Sequence, residues 1–207
     1  MKTLSTCPPK PRGRPRAFDR DKALDAAMRL FWQQGYEATS LSDLTCAMGI
    51  NPPSLYSAFG DKEQLFLAAI EHYLNDGPGT SLSCLLSYGT TAREAIQKVL
   101  TNAANELANP DHPPGCMVVT SATNCSVGSA RVQEAVARYR ARKEEEIIAR
   151  IEKGKVDGDL PAATDAVALA RFYGTVMQGM TMQARDGATA DVLLDIAMAA
   201  MRAWPSS

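Results

Sequence analysis

Residues 39–59 limit the fold of this chain more than any other stretch, because they predict two short helices joined by a glycine turn. The first predicted helix buries one face through apolar residues at helical spacing, namely Leu41, Leu44, Ala47 and Met48. Gly49 ends this helix, and Asn51 followed by Pro52 forms an N-cap with proline at the first helical position. The second helix is short and carries small or polar outward side chains, which suits entry into a major groove about 12 Å wide. The stretch therefore predicts a helix-turn-helix that reads DNA.

The rest of the chain is predicted to be helical as well. Helical periodicity recurs along its 207 residues, and no segment alternates as a strand would. A helix capped by Asp19 and ended by Gly35 precedes the motif, and the last two helices are expected at about 162–184 and 189–203. We therefore predict an all-α fold, in which a three-helix DNA-binding domain over residues 18–65 precedes a helical domain over residues 66–207.

The apolar runs are far shorter than the roughly 18 residues that a membrane-spanning helix needs. The first residues are basic and proline-rich, without the apolar core of a signal peptide. We expect a cytoplasmic protein with no membrane contact.

A basic arm is predicted over residues 1–17. Residues 1–18 carry a net charge of +5, whereas the whole chain sums to -1. Residues 11–16 resemble the core of an AT-hook, in which Arg12, Arg14 and Arg16 would follow a narrow A·T minor groove. The alternative is a disordered basic tail without a function.

Four short motifs together resemble the N-terminal domain of the TetR/AcrR family of bacterial transcriptional regulators. They lie at fixed spacing within residues 18–74, at 35–40, 49–51, 55–59 and 61–65. The resemblance implies that residues 66–207 form a helical domain for effector binding and dimerisation. It also implies that the protein binds double-stranded DNA.

The resemblance places DNA contacts at particular residues. Thr39 and Ser40 begin the first reader helix, where hydroxyl and backbone N–H groups suit a phosphate. Tyr56, Ser57 and Lys62 match family positions that touch the DNA backbone. Asn51, Pro53 and Ser54 begin the recognition helix, where the family reads base edges, although they offer few hydrogen-bond donors. The alternative makes Tyr56 a core aromatic and Lys62 an ordinary solvated charge.

The five cysteines show no paired spacing, so we predict free thiols: Cys7, Cys46, Cys84, Cys116 and Cys125. Cys116 follows Gly115 at a predicted helix N-terminus, where the helix dipole can lower a thiol pKa. The resemblance extends to family members that sense electrophiles and metal stress, so Cys116 is a candidate redox or electrophile switch, with Cys125 as a resolving thiol. The alternative is a small buried hydrophobic residue. His112 with these two cysteines lacks the compact spacing of a metal site, and we predict neither a metal nor another cofactor.

The candidate effector pocket is apolar and lies between helices. Its predicted lining residues are equally suited to an ordinary core, and they are Ile70, Tyr73, Leu100, Met117 and Tyr139. The last two helices are rich in Ala, Gly and Met, which favours close packing against the same pair in a second copy. The alternative for these helices is a monomer core.

The leading interpretation is a homodimeric regulator, and not an enzyme. It is expected to act as a repressor that a small molecule or a thiol modification releases from a palindromic operator, with half-sites about 34 Å or a multiple apart. Two alternatives remain open. One is a constitutive architectural DNA-binding protein, and the other is a cysteine-dependent enzyme, although neither histidine forms a recognisable triad with Cys116.

Overall fold

A computed structural model describes residues 18–77, 82–123 and 125–205. Within these ranges every regular element is helical and no β-strand occurs, which confirms the predicted all-α fold. The α-helices are α1 Arg20–Gln34, α2 Leu41–Ala47, α3 Pro52–Phe59, α4 Lys62–Asn75, α5 Leu82–Leu86, α6 Ala92–Leu107, α7 Met117–Thr120, α8 Ala130–Asp157, α9 Ala166–Arg185 and α10 Ala190–Met201. No helix of the described part is long and apolar enough to cross a membrane.

Side-chain caps define the first helices. Asp19 accepts hydrogen bonds from the backbone N–H groups of Asp21 and Lys22 at the start of α1. At the start of α4, Asp61 and Gln64 form the expected capping box. These caps fix where the helices begin, so the order and bounds of α1, α2 and α3 follow the sequence closely.

The buried face of α2 is narrower than the sequence predicts. Leu44 and Met48 are buried, but Leu41 is 36% exposed and Ala47 is also exposed. A helix of seven residues makes about two turns, so only the side chains directed at α1 reach the core. The prediction that all four apolar residues are buried is therefore wrong for Leu41 and Ala47.

The first hydrophobic core fills the space inside the DNA-binding domain and continues beyond it. Phe31 of α1 meets Phe66 of α4 edge to face, with ring centroids 5.1 Å apart. The same cluster includes Met117 of α7 and Val132 of α8. Helix α4 therefore crosses the division expected after residue 65, and that division stays a prediction.

A second core lies among α5, α6, α9, α10 and the C-terminal half of α8. Its largest fully buried side chains include Leu100, Ile147 and Tyr173. Helix α8 contributes to both cores, and Cys116 is packed against both. Helices α9 and α10 occupy the regions expected for the last two helices, but α9 begins later because Asp165 caps it by accepting from the Ala168 N–H.

Three of the cysteines are free, namely Cys84, Cys116 and Cys125. Cys46 is disulfide-bonded, so the prediction that this thiol is free is wrong. Cys7 lies outside the described residues.

Candidate DNA interface and internal cavity

The N-terminal ends of α2 and α3 supply the candidate DNA-reading residues. Ser40 caps α2, where its Oγ accepts from the Asp43 N–H over 3.1 Å and donates to Asp43 Oδ2 over 2.6 Å. The Ser40 side chain is exposed, so it can reach a phosphate only by giving up its hydrogen bond to the Asp43 carboxylate. A contact between Ser40 and DNA stays a prediction.

The prediction that the Thr39 hydroxyl contacts a phosphate is wrong. The Thr39 side chain is fully buried, and its Oγ1 donates to the Gly35 carbonyl oxygen over 2.6 Å. The hydroxyl therefore fastens the turn between α1 and α2 and is not available to a phosphate. The sequence placed Thr39 correctly beside the helix start, but the direction of its side chain depends on the packing of α1 against α2.

The recognition helix α3 presents few hydrogen-bond donors at its start. Asn51 Oδ1 accepts from the Ser54 N–H over 2.8 Å, which leaves only the side-chain amide of Asn51 free to donate. Pro53 is exposed and has no N–H, whereas Tyr56 is 50% exposed and Ser57 is also exposed. Tyr56 is therefore not a core aromatic, and this surface fits contact with a DNA backbone better than bidentate base recognition.

Lys62 is held in a defined position at the start of α4. Its Nζ lies 4.3 Å from the centroid of the Tyr36 ring, in a cation–π arrangement. Partial burial lowers the pKa of Lys62, and the negative charge of Glu37 opposes that effect. The ammonium is thus neither fully solvated nor paired within 4 Å to a carboxylate of the described residues, which suits a phosphate contact.

The turn between α1 and α2 is joined to the loop that follows α7. The Tyr36 N–H donates to the Ser121 carbonyl oxygen over 2.7 Å, and the Ser126 N–H donates to Glu37 Oε1 over 2.8 Å. Hydrogen bonds from Ser129 and Ser126 lower the pKa of Glu37. Sequence reasoning missed this junction, because nothing local relates residues about 90 positions apart.

A cavity of about 420 Å³ opens among helices α4 to α9, a volume ordinary for a small-molecule site. Its walls are mostly apolar and come from α4 to α9. Its lining residues include Tyr73, Val99, Glu106, Cys116, Arg140 and Met177. Two of the predicted effector residues, Tyr73 and Cys116, therefore line it.

Gly115 explains how Cys116 reaches this cavity. Gly115 has φ +83°, and a Cβ there would lie 3.1 Å from the Thr181 carbonyl oxygen, so glycine lets the chain turn directly against α9. Cys116 then occupies the N-cap position of α7, a helix of only four residues, without a capping hydrogen bond from its side chain. Tyr73 Oη donates to Cys116 Sγ over 3.5 Å, and burial raises the pKa of Tyr73 well above its ordinary value.

The other predicted effector residues lie elsewhere. Ile70, Leu100 and Met117 are completely buried in the two cores and do not line the cavity. Tyr139 borders a separate cleft of about 410 Å³ between α4 and α8. Cys125 lies near Glu37 and Lys62, where burial raises the pKa of its thiol, so it is a poorer nucleophile than the expected resolving cysteine. Helical spacing identifies buried residues, but it does not distinguish a packed core from a cavity wall.

Sequence reasoning missed the charged residues of the cavity, which are Glu106, Arg140, Lys143 and Glu144. The weak signal for Glu106 is its place beside the apolar stripe of α6, one residue before Leu107. Among the described residues, no group of three or more His, Cys, Asp or Glu side chains could hold a metal ion.

Helices α9 and α10 share an exposed apolar surface. They carry five of the nine large apolar side chains that are exposed within the described ranges, namely Val167, Phe172, Met182, Val192 and Met198. A Cβ added at the exposed Gly179 of α9 would meet nothing within 4 Å, whereas Gly174 lines the cavity. Several large apolar side chains exposed on two neighbouring helices are typical of an interaction surface.

Arg12, Arg14 and Arg16 lie outside the described residues. Their minor-groove role stays a prediction.

The helix-turn-helix, its capped reader helices and the helical domain behind it define a DNA-binding regulator. Comparison with known families and structures agrees with this class. Residues 23–69 match the model described as bacterial regulatory proteins, tetR family, and residues 92–201 match the tetracyclin repressor-like C-terminal domain. The chain belongs to the TetR family of bacterial transcriptional regulators.

Individual relatives span almost the whole chain. The HTH-type transcriptional repressor ComR of Escherichia coli K12 is 37% identical over 206 residues, which cover 99% of this chain and 98% of ComR. The repressor BdcR of the same organism is 33% identical over 84% of this chain and 83% of its own length. A solved structure of a CifR cysteine mutant complexed with 26-base-pair operator DNA has a TM-score of 0.89 and 43% identity, and it covers 93% of this chain and 100% of its own.

Proposed function

We propose that this chain is a homodimeric transcriptional repressor that leaves a palindromic operator when an effector changes the wall of the internal cavity. The observation that carries this proposal is the continuity between the cavity and the DNA-reading domain. Cys116 and Val118 line the cavity, and three residues after Val118 the Ser121 carbonyl accepts from the Tyr36 N–H. The name of ComR and the operator complex of CifR support repression and operator binding.

The proposed DNA contacts divide into two kinds. Ser40, Tyr56, Ser57 and Lys62 contact phosphates, because they are exposed or partly exposed at the N-termini of α2 and α4 and on α3. Asn51, Pro53 and Ser54 face the bases, where Pro53 offers apolar contact to a thymine methyl group. Arg12, Arg14 and Arg16 extend the contact into an adjacent minor groove.

The proposed homodimer forms through α9 and α10. Their exposed valine, phenylalanine and methionine side chains, and the open space above the exposed Gly179, allow the same pair of helices from a second copy to approach closely. A twofold dimer places two reading heads on two half-sites, so a small change in their separation weakens both contacts together. Because its DNA target lies there, we place the working protein in the bacterial cytoplasm.

Release by thiol modification is the second proposed input at the cavity. A peroxide would oxidise the Cys116 thiolate to a sulfenic acid and release hydroxide, which adds an oxygen atom at the wall of the cavity. Cys116 is half-buried and packed against both cores, so the added atom must displace neighbouring side chains.

A gel-shift titration tests the proposal. DNA that flanks the gene for this chain is compared with shuffled DNA of the same length at 150 mM salt, with and without peroxide or candidate effectors. We expect at least a hundredfold preference for the flanking DNA and its loss when an effector is present. Equal affinity for both DNAs would overturn the repressor and support the architectural alternative.

A further inference from the structure

A buried histidine lies between the cavity and the DNA-reading domain. The His112 ring stacks on Trp32 of α1, with ring centroids 4.5 Å apart and an interplanar angle of 26°. Its side chain is only 6% exposed. His112 Nδ1 lies 3.0 Å from the Pro113 carbonyl oxygen, and because a carbonyl only accepts, this nitrogen carries the proton.

The other ring nitrogen faces a cavity carboxylate. His112 Nε2 is buried without a hydrogen-bond partner among the described residues, and it lies 3.7 Å from Glu106 Oε2. This distance is too long for a direct hydrogen bond. Glu106 lines the cavity with 39% of its side chain exposed. In the neutral ring Nε2 is an acceptor, as the carboxylate is, so this corner of the cavity suits a group that donates hydrogen bonds.

Most of the other charged side chains of the cavity already have a hydrogen-bond or ion-pair partner. Arg140 Nη1 donates to the Val118 carbonyl oxygen over 3.1 Å. Glu144 accepts from Arg171 Nε over 3.0 Å, and Lys143 beside it belongs to the α8 wall that also borders the neighbouring cleft. The rest of the lining is mainly apolar. Glu106 is therefore the cavity carboxylate without an arginine or lysine within 4 Å among the described residues.

We propose that the effector is an apolar small molecule with a hydrogen-bond-donating head, a hydroxyl or an ammonium, and that Glu106 binds this head beside His112. This inference rests on the proposed function, because it takes the cavity as the effector site. His112 Nε2 offers the same head a second acceptor. Since the His112 ring also stacks on Trp32, movement of Glu106 on binding is passed to α1 of the DNA-reading domain.

A matched ligand series tests the head-group chemistry on the full chain. Calorimetric titrations compare 1-octanol, octylamine and octanoate, which share one apolar body and differ in the head. We expect at least one of the two donor ligands to bind at least tenfold more tightly than octanoate, and the alcohol and amine arms show which donor is preferred. Octanoate binding as tightly as both donors would overturn the proposal and point to Arg140 or Lys143 as the anchor.

Two variants test the residues. Glu106→Met removes the carboxylate and keeps an unbranched side chain, whereas His112→Phe keeps an aromatic ring against Trp32 without Nε2. Each is expected to reduce the donor-over-octanoate ratio below threefold. Glu71→Met, on the neighbouring cleft, is the control and should leave the ratio unchanged. A full ratio in both folded variants would refute the assignment.

Two further measurements separate the possible failures. Thermal unfolding identifies any variant that does not fold, and the wild-type ligand series then decides the proposal alone. Operator binding without ligand is measured separately by gel shift. Intact operator binding with no donor preference refutes this inference only, whereas absent operator binding refutes the proposed function.

Discussion

The Tyr36 backbone N–H donates to the Ser121 carbonyl oxygen over 2.7 Å, which joins the turn after α1 to the chain just after α7. Tyr36 also lies under the Lys62 ammonium, and α7 carries part of the cavity wall. A displacement of α7 is therefore transmitted to Lys62, a candidate DNA contact, through one backbone hydrogen bond and one cation–π contact. The two ends of the proposed switch are close in space although they are far apart in sequence.

Replacing Lys62 with alanine should weaken operator binding at every operator sequence. Loss of one phosphate contact lowers the slope of log affinity against log salt by about 0.9 per protomer. Binding titrations at several salt concentrations measure this slope. Lys98→Ala is a matched control. Lys98 lies on α6, outside the DNA-binding domain, and its Nζ is 5.5 Å from the centroid of the Tyr88 ring. Equal slopes for Lys62→Ala and wild type would remove Lys62 from the interface.

Thr39 and Ser40 should respond differently to loss of their hydroxyl groups. Thr39→Val removes the buried hydrogen bond to Gly35 and should lower the free energy of unfolding by about 1 kcal/mol, with operator affinity unchanged. Ser40→Ala removes a helix cap, which also costs about 1 kcal/mol, and should additionally weaken operator binding. Urea unfolding and gel shifts separate the two effects.

Thr45→Val is the control for this pair, since Thr45 makes an exposed hydrogen bond of the same kind to the Ser42 carbonyl. Its unfolding free energy should change by less than that of Thr39→Val. A large loss of operator affinity in a folded Thr39→Val protein would show that the buried hydroxyl does matter for DNA binding.

Met198→Glu should convert the proposed dimer into monomers. A carboxylate placed opposite its own copy in an apolar interface loses water and faces a like charge. Sedimentation should then report the chain mass of 22.3 kDa in place of twice that value. Val156→Glu at a position 87% exposed on α8 is the control and should sediment as wild type. A wild-type chain that is already monomeric would contradict the α9–α10 interface.

The stability of the junction at Glu37 should depend on pH in the acid range. Hydrogen bonds from Ser129 and Ser126 hold the folded-state pKa of Glu37 below its ordinary value of 4.5. The stabilisation is therefore complete above about pH 4.5 and is lost as the pH falls through the lower folded-state pKa. Thermal unfolding from pH 3 to 7 should show a smaller acid-side loss for Glu37→Gln than for wild type. Glu145→Gln on α8 should keep the wild-type profile.

Cys116→Ser should abolish any release of operator by peroxide, because the serine hydroxyl does not form a sulfenic acid. Cys84→Ser is the matched control, since Cys84 is also a free thiol but is exposed and lies outside the cavity wall. Gel shifts before and after peroxide compare the two variants with wild type. A response that survives in Cys116→Ser would assign the oxidation to another residue.

The DNA-reading domain was largely predictable because its signals are local. The caps at Asp19, Asn51 and Asp61 each act within three residues, so the sequence alone marks where α1, α3 and α4 begin. The four family motifs can likewise be read directly from the sequence, because they lie at fixed spacing along it. The family assignment, the all-α class and the candidate surface at α2 and α3 therefore required no tertiary information.

Only the tertiary structure decided where the cavity lies and how it is connected to the DNA-reading domain. Helical periodicity marks Leu100 and Val99 alike as inward, yet Leu100 is fully buried core and Val99 lines the cavity. His112 stacks on Trp32 across a long sequence separation, and Thr39 turns inward because α1 and α2 pack together. Local pattern fixes which residues cap or face inward, whereas the space left between helices depends on how all of them pack at once.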